Sequence, residues 1–211
     1  MKSPQIGTPS PASEAVVQSR LPKSTSTVQI KGSAIKETIG QIKTRVTPEV
    51  FKTVLELLDE GTRKLVEGEI FTSSWYSLDL FTRFLEIQNR VLAGGNEEMV
   101  TRGAEAVNER QLKGIYKAFV KIGSPEFVIE RIAAVHATYF QGVSIEVQSP
   151  GPGKALIRYT GYEKQHRIMG FAIVGFFKKA LELSGAKDTV IYFSTPIDED
   201  KGYAELSLSW S

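Results

Sequence analysis

The hydrophobic residues of this chain change their spacing near residue 140, and this change constrains the fold more than any other feature. From Ile35 to Tyr139, apolar residues recur every three or four positions, as on one face of an α-helix. From Val143 to Val147 they alternate with polar residues, as in a half-buried strand. Helices placed first and strands later predict an α+β fold in which the helices are segregated from the sheet.

The strand segments are grouped into two hairpins. The first hairpin turns at Pro150–Gly151–Pro152–Gly153, and the second turns at the acidic loop Asp198–Gly202. The four segments are residues 143–147, 155–159, 189–194 and 203–210. One mostly apolar helix, from about His166 to Ser184, lies between the hairpins. Hairpins join antiparallel strands, so the predicted sheet is mostly antiparallel and ends in a C-terminal hairpin.

About five helices are predicted before the first hairpin, after a short strand at Val28–Lys31. Thr47–Pro48 and Ser124–Pro125 each combine a capping residue with proline at the first helical position. Gly94–Gly95 ends one helix, and Asn96 caps the next, which is expected to run to about Ile122. The apolar stripe expected for the helix that begins at Pro48 consists of Val50, Val54, Leu57 and Leu58.

The chain divides into a tail and one domain. Residues 1–27 are rich in serine, threonine and proline and poor in large apolar residues, which predicts a disordered tail before a single domain over residues 28–211. No signal-peptide core and no membrane span are recognisable, so the predicted location is cytoplasmic. A formal charge of +2 without a basic cluster argues against a nucleic-acid partner.

The sequence contains no recognisable catalytic group. The chain has no cysteine, no Gly-x-Ser-x-Gly elbow and no spaced metal-ligand pair, so we expect no enzyme activity, no metal and no cofactor. His136 lies among apolar residues on a helix, where it is either a core or interface histidine or a proximal haem ligand. His166 lies between charged residues at the start of a helix, so we expect it on the surface.

Two groups of aromatic residues are the remaining candidates for a site. Trp75 and Tyr76 interrupt a polar stretch, where they either staple the following helix or line a pocket or a dimer surface. The second group either packs as ordinary core or lines an apolar pocket together with His136. Its members are Tyr139, Phe140, Phe171, Phe176 and Phe177.

Six segments carry a resemblance to a known family. They are Ile30–Ser33, Ser73–Leu78, Lys113–Phe119, Gly161–Tyr162, Leu181–Ala186 and Leu206–Trp210. In this order they resemble a large paralogous family of uncharacterised proteins best known from myxobacteria. That family is similar to four-vinyl-reductase-like domains and to the superfamily of ligand-binding domains in nitric-oxide signalling and Golgi transport. The resemblance implies helices on an antiparallel sheet, a homodimer and, in some members, a small hydrophobic or haem ligand. The Tyr-x-Ser-x-Arg signature of the haem-binding branch is missing from this sequence.

Two functions of different classes follow. The first is a non-catalytic sensory or scaffold domain that acts in bacterial signalling or regulation through a homodimer and a protein partner. It depends on the missing catalytic groups, the Trp75–Tyr76 pair and the resemblance. The alternative is a receptor that binds a hydrophobic small molecule, or haem, in a pocket between the helices and the sheet.

Overall fold

A computed structural model of the chain describes residues 26–113, 124–199 and 201–211. The predicted tail, apart from its last two residues, and the end that was expected near Ile122 both lie outside these ranges. Within them the elements, in chain order, are β1 (Gln29–Lys31), α1 (Gly32–Lys43), α2 (Pro48–Leu57), α3 (Glu60–Glu67), β2 (Trp75–Ser77), α4 (Leu78–Ala93), α5 (Glu98–Lys113), α6 (Pro125–Tyr139), β3 (Phe140–Gln141), β4 (Ser144–Gly151), β5 (Lys154–Thr160), a 3₁₀ turn (Lys164–His166), α7 (Ile168–Leu183), β6 (Val190–Thr195) and β7 (Ala204–Ser209).

The strands form two antiparallel sheets, which confirms the predicted α+β class. The larger sheet has the order β4-β5-β7-β6 and contains both predicted hairpins. The smaller sheet has the order β2-β1-β3, with Ile30 of β1 opposite Tyr76 on one side and Phe140 on the other. Trp75 and Tyr76 therefore lie in a strand that ends where α4 begins, because their backbone pairs with a segment far away in the sequence.

Capping side chains begin two helices, and a glycine ends a third, where the sequence predicts. Thr47 Oγ1 accepts a hydrogen bond from the Val50 N–H at 3.4 Å, and Ser124 Oγ accepts one from the Phe127 N–H at 3.4 Å. Gly94 ends α4 in the left-handed conformation, with φ 59°. The predicted caps at Thr47, Ser124 and Gly94 are confirmed.

The buried face of α2 differs from the expected one. Phe51, Val54 and Leu58 are buried, whereas Val50 and Leu57 are 37% and 56% exposed. The helix ends at Leu57, and Leu58 has an extended backbone, so its side chain no longer follows the helical phase. The predicted stripe is wrong at Val50 and Leu57, because the ring of Phe51 takes the core position.

Helix α7 lies between the larger sheet and the other helices, at the centre of the domain. The buried residues of β5 and β7 alternate along each strand, so one face of the sheet packs on the core. On the opposite side of α7, a Cβ atom on Gly175 would come within 2.3 Å of the Thr101 carbonyl oxygen of α5. The two helices therefore approach closely at this glycine. None of the described helices is long and apolar enough to cross a membrane.

Candidate functional site

A cavity of about 500 Å³ lies between α1, α4, α5, α6 and α7 and reaches Tyr159 of β5. Its volume is in the range of pockets that hold small molecules. Most of its wall consists of aliphatic and aromatic side chains. They include Phe81, Leu85, Val100, Val107, Ile132, Val135, Ile173 and Phe177. An apolar molecule that enters this cavity would leave water on most sides, which favours binding.

The polar side chains of the wall bond mainly within their own helices. Gln41 Nε2 donates to Glu37 Oε1 at 3.1 Å, and Thr38 Oγ1 donates to the Ala34 carbonyl at 2.9 Å. Asn108 Nδ2 donates to the Ala104 carbonyl at 2.7 Å. Because these groups already have partners, they need no polar ligand, and the inside of the cavity remains predominantly apolar.

His136 lies in the wall of the cavity at its buried end. Its ring stacks on Phe140 at 4.5 Å between centroids and meets Tyr159 edge-on at 5.9 Å. Its Nε2 atom is hydrogen-bonded to the Tyr162 hydroxyl at 3.2 Å. Burial lowers the pKa of His136 from its ordinary value of 6.5 to about 4, and burial raises the pKa of the Tyr162 phenol. The imidazole and the phenol are therefore both uncharged at neutral pH.

The surroundings of His136 do not fit a haem bound through Nε2. Iron coordination needs a ring nitrogen whose lone pair is directed into the cavity. The Nε2 atom instead lies 3.2 Å from Tyr162, which is not among the residues that line the cavity. Coordination would break this hydrogen bond and turn a ring that is stacked on Phe140. Among the described residues, no group of three histidine, aspartate or glutamate side chains lies close enough together to hold a metal ion.

The structure brings five of the eight candidate residues together in one wall. Tyr139, Phe140, Phe176 and Phe177 line the cavity together with His136. They come from the junction of α6 with β3 and from the middle of α7, which explains why two separate sequence segments meet.

The other three candidate residues lie outside the cavity wall. The guanidinium of Arg167 covers Phe171 at 5.3 Å, and Lys31 Nζ lies 4.2 Å from the centre of the Trp75 ring. Tyr76 is buried, and its hydroxyl accepts a hydrogen bond from the Phe71 N–H at 2.9 Å. The hydrogen bond from the Phe71 N–H to Tyr76 holds the loop before β2, and neither Trp75 nor Tyr76 lines the cavity.

Sequence reasoning missed a buried polar pair beside this wall. His166 was expected on the surface, but its side chain is fully buried, and its Nε2 atom lies 2.7 Å from Asp79 Oδ1. The expectation is wrong because the 3₁₀ turn directs the ring inward, toward α4. No local pattern signals the pair, since its members are 87 positions apart.

Comparison with known proteins identifies the fold but no family. No known family profile and no curated protein matches the chain. The unliganded Fe(II) H-NOX protein from K. algicida is similar, with a TM-score of 0.63 and 11% identity over 86% of this chain and 97% of that one. The H-NOX protein from S. oneidensis in the Fe(II)NO ligation state has a TM-score of 0.64 and 12% identity over 86% and 99%. An oxygen-binding H-NOX domain related to soluble guanylate cyclases has a TM-score of 0.61 and 11% identity over 86% and 95%. At this identity the likeness establishes the architecture alone, and the chain has an H-NOX-like fold.

Proposed function

We propose that this chain is a non-catalytic sensory domain that binds a small molecule with an apolar body in the cavity between its helices and its larger sheet. The observation that carries the proposal is the cavity itself, with about 500 Å³ enclosed by apolar side chains from five helices. A fold shared with an oxygen-binding H-NOX domain related to soluble guanylate cyclases supports a ligand-sensing role. The sequence resemblance to the myxobacterial family and to four-vinyl-reductase-like domains points in the same direction and remains a prediction.

Haem is not the ligand that we propose. The hydrogen bond between His136 Nε2 and the Tyr162 hydroxyl, and the stacking of His136 on Phe140, favour a structural imidazole in the cavity wall. A molecule with an apolar body of moderate size needs neither a free ring nitrogen nor a metal site.

Two glycine substitutions test whether the cavity binds a ligand. Gly103 of α5 lines the cavity, and Gly40 of α1 lies outside it; a Cβ atom at either glycine meets no atom within 4 Å. Leucine is the better helix former by about 1 kcal/mol, so both Gly103→Leu and Gly40→Leu are expected to fold. Only Gly103→Leu is expected to place a side chain in the cavity and obstruct it.

The measurement combines native mass spectrometry of freshly purified protein with titration of the uncharged dye Nile red. A retained small-molecule mass or saturable dye binding in the wild type and in Gly40→Leu, lost in Gly103→Leu, supports the proposal. If the wild type shows no retained mass and no dye binding, the proposal is contradicted. A Soret band that forms with added haem and disappears in His136→Phe would overturn it in favour of a haem sensor.

A second candidate function is the scaffold that acts through a homodimer and a protein partner. One observation favours it: Val190 and Tyr192 are both more than half exposed on β6, the edge strand of the larger sheet. Exposed apolar groups beside an open strand edge favour association with a second copy of the chain. Light scattering at tens of micromolar is expected to give a dimer mass that falls to a monomer mass in the double variant Val190→Lys/Tyr192→Lys. A monomeric wild type would count against this function.

A further inference from the structure

The charged side chains that line the cavity have one sign. Among the described residues of the wall there are two arginines, Arg45 and Arg102, and no aspartate, glutamate or lysine. The chain as a whole has nearly equal numbers of basic and acidic residues, 26 and 24. A wall with only positive charges therefore differs from the average surface of this protein and favours a ligand with a negative group.

Both arginines line the cavity and are exposed to solvent. Arg45 lies two residues after Lys43, the last residue of α1, and Arg102 is in the second turn of α5. Met99, one helical turn before Arg102, also lines the cavity and is 46% exposed. By contrast, Tyr159 and Phe177 are buried and carry no charge. The lining thus changes from positive and exposed to apolar and enclosed.

The two guanidinium groups remain available to a ligand. Within the described ranges, the side chain of Arg45 makes no ion pair and no hydrogen bond. Arg102 pairs with Glu98 at 2.7 Å, but both side chains are more than 60% exposed. Exposed ion pairs of this kind contribute little free energy, so an incoming anion can displace Glu98. Guanidinium groups match the geometry of a carboxylate with two parallel hydrogen bonds.

We propose that the ligand is an amphipathic carboxylate, with an apolar chain inside the cavity and its carboxylate at Arg45 and Arg102. This inference rests on the proposed function, because it assigns a chemical class to the molecule in the same cavity. Water covers the exposed end, so the carboxylate keeps part of its hydration while it gains charge-assisted hydrogen bonds.

Paired probes of equal chain length test the charge recognition. Isothermal titration compares decanoate with 1-decanol on the wild type, on Arg45→Gln/Arg102→Gln and on Arg110→Gln. Arg110 is exposed on α5 outside the cavity lining and is the matched control. The wild type is expected to bind decanoate about tenfold more tightly than 1-decanol, the effect of one charge-assisted hydrogen bond. The double variant is expected to lose this preference, with its affinity for 1-decanol unchanged. Arg110→Gln is expected to keep the preference for decanoate.

A fourth variant and added salt sharpen the test. Glu98→Gln removes the carboxylate that competes for Arg102. It is therefore expected to raise the affinity for decanoate and to leave the affinity for 1-decanol unchanged. Added sodium chloride should weaken the binding of decanoate but not that of 1-decanol, because salt screens exposed charges. Equal affinities of the two probes in the wild type, or a preference that survives in the double variant, would overturn the carboxylate assignment and leave the apolar cavity intact. Binding of neither probe, together with no dye binding, would instead remove the proposed function.

Discussion

His166 donates a hydrogen bond from Nε2 to Asp79 Oδ1 at 2.7 Å in a site that solvent does not reach. The direction of this bond follows from the other ring nitrogen, because Nδ1 accepts the Glu163 N–H at 3.0 Å and therefore carries no proton. Gln165 Nε2 also donates to Asp79 Oδ1, at 3.4 Å. The pair joins the first turn of α4 to the 3₁₀ turn before α7, and both helices contribute walls to the cavity.

Removal of one member of this pair should destabilise the domain. In His166→Ala the buried carboxylate of Asp79 loses the hydrogen bond from His166 Nε2 at 2.7 Å, and the variant leaves a cavity in place of the ring. We expect the free energy of unfolding to fall by about 3 kcal/mol, measured by urea denaturation. The control is Arg83→Ala, on the same helix as Asp79. It removes an exposed ion pair between Arg83 and Asp59 at 3.7 Å and should change the free energy of unfolding by less than about 1 kcal/mol. Equal losses in the two variants would contradict a special role for the buried pair.

The neutral His136 should make stability depend on pH between 6.5 and about 4. Above pH 6.5 the ring is uncharged in both the folded and the unfolded chain. As the pH falls toward 4, the unfolded chain takes up a proton that the folded chain excludes, so protonation favours unfolding. The free energy of unfolding should therefore rise with pH across this window, by on the order of 3 kcal/mol from this group.

Urea denaturation of the wild type and of His136→Phe/Tyr162→Phe at pH 4.5 and pH 7 checks this dependence. The double variant keeps two aromatic rings and removes both members of the hydrogen bond at 3.2 Å. Its stability should change less between the two pH values than that of the wild type. The same change in both proteins would assign the pH dependence to other groups.

The Tyr76 hydroxyl should stabilise the loop before β2 without affecting ligand binding. In Tyr76→Phe the buried ring remains, but the Phe71 N–H loses its acceptor at 2.9 Å. We expect a loss of about 1 kcal/mol in the free energy of unfolding and unchanged Nile red binding. Weaker dye binding at unchanged stability would restore the pocket interpretation of the Trp75–Tyr76 pair.

Local patterns in the sequence were sufficient for the elements whose ends depend on neighbouring residues. The caps at Thr47 and Ser124, the left-handed Gly94 and both C-terminal hairpins follow from interactions within a few positions. Helix α3 was not predicted, because it is eight residues long and mostly polar. Its cap is equally local, since Asp59 Oδ1 accepts the Thr62 N–H at 3.0 Å, and could have indicated its start.

The parts that sequence reasoning missed depend on distant contacts. Trp75–Ser77 forms a strand because β1 pairs with it, and the buried ring of His166 contacts Asp79, 87 positions away. The cavity is also a tertiary feature: an apolar face of α7 has the same pattern whether it packs completely or leaves 500 Å³ beside it. The pattern identified five residues of the wall, including His136 and Phe177, and left open whether they enclose space.

The contact between α5 and α7 should depend on the missing side chain of Gly175. An alanine there would place Cβ 2.3 Å from the Thr101 carbonyl oxygen and 2.9 Å from Ala104 Cβ, so the two helices must move apart. Although alanine is the better helix former by about 1 kcal/mol, we expect Gly175→Ala to lower the free energy of unfolding by about 1–3 kcal/mol. Gly40→Ala is the matched control, because its Cβ would meet no atom within 4 Å; it should raise stability by about 0.5–1 kcal/mol. Urea denaturation of both variants measures whether each free energy of unfolding falls or rises relative to the wild type. Stabilisation by Gly175→Ala would show that α5 and α7 are less closely packed than the structure places them.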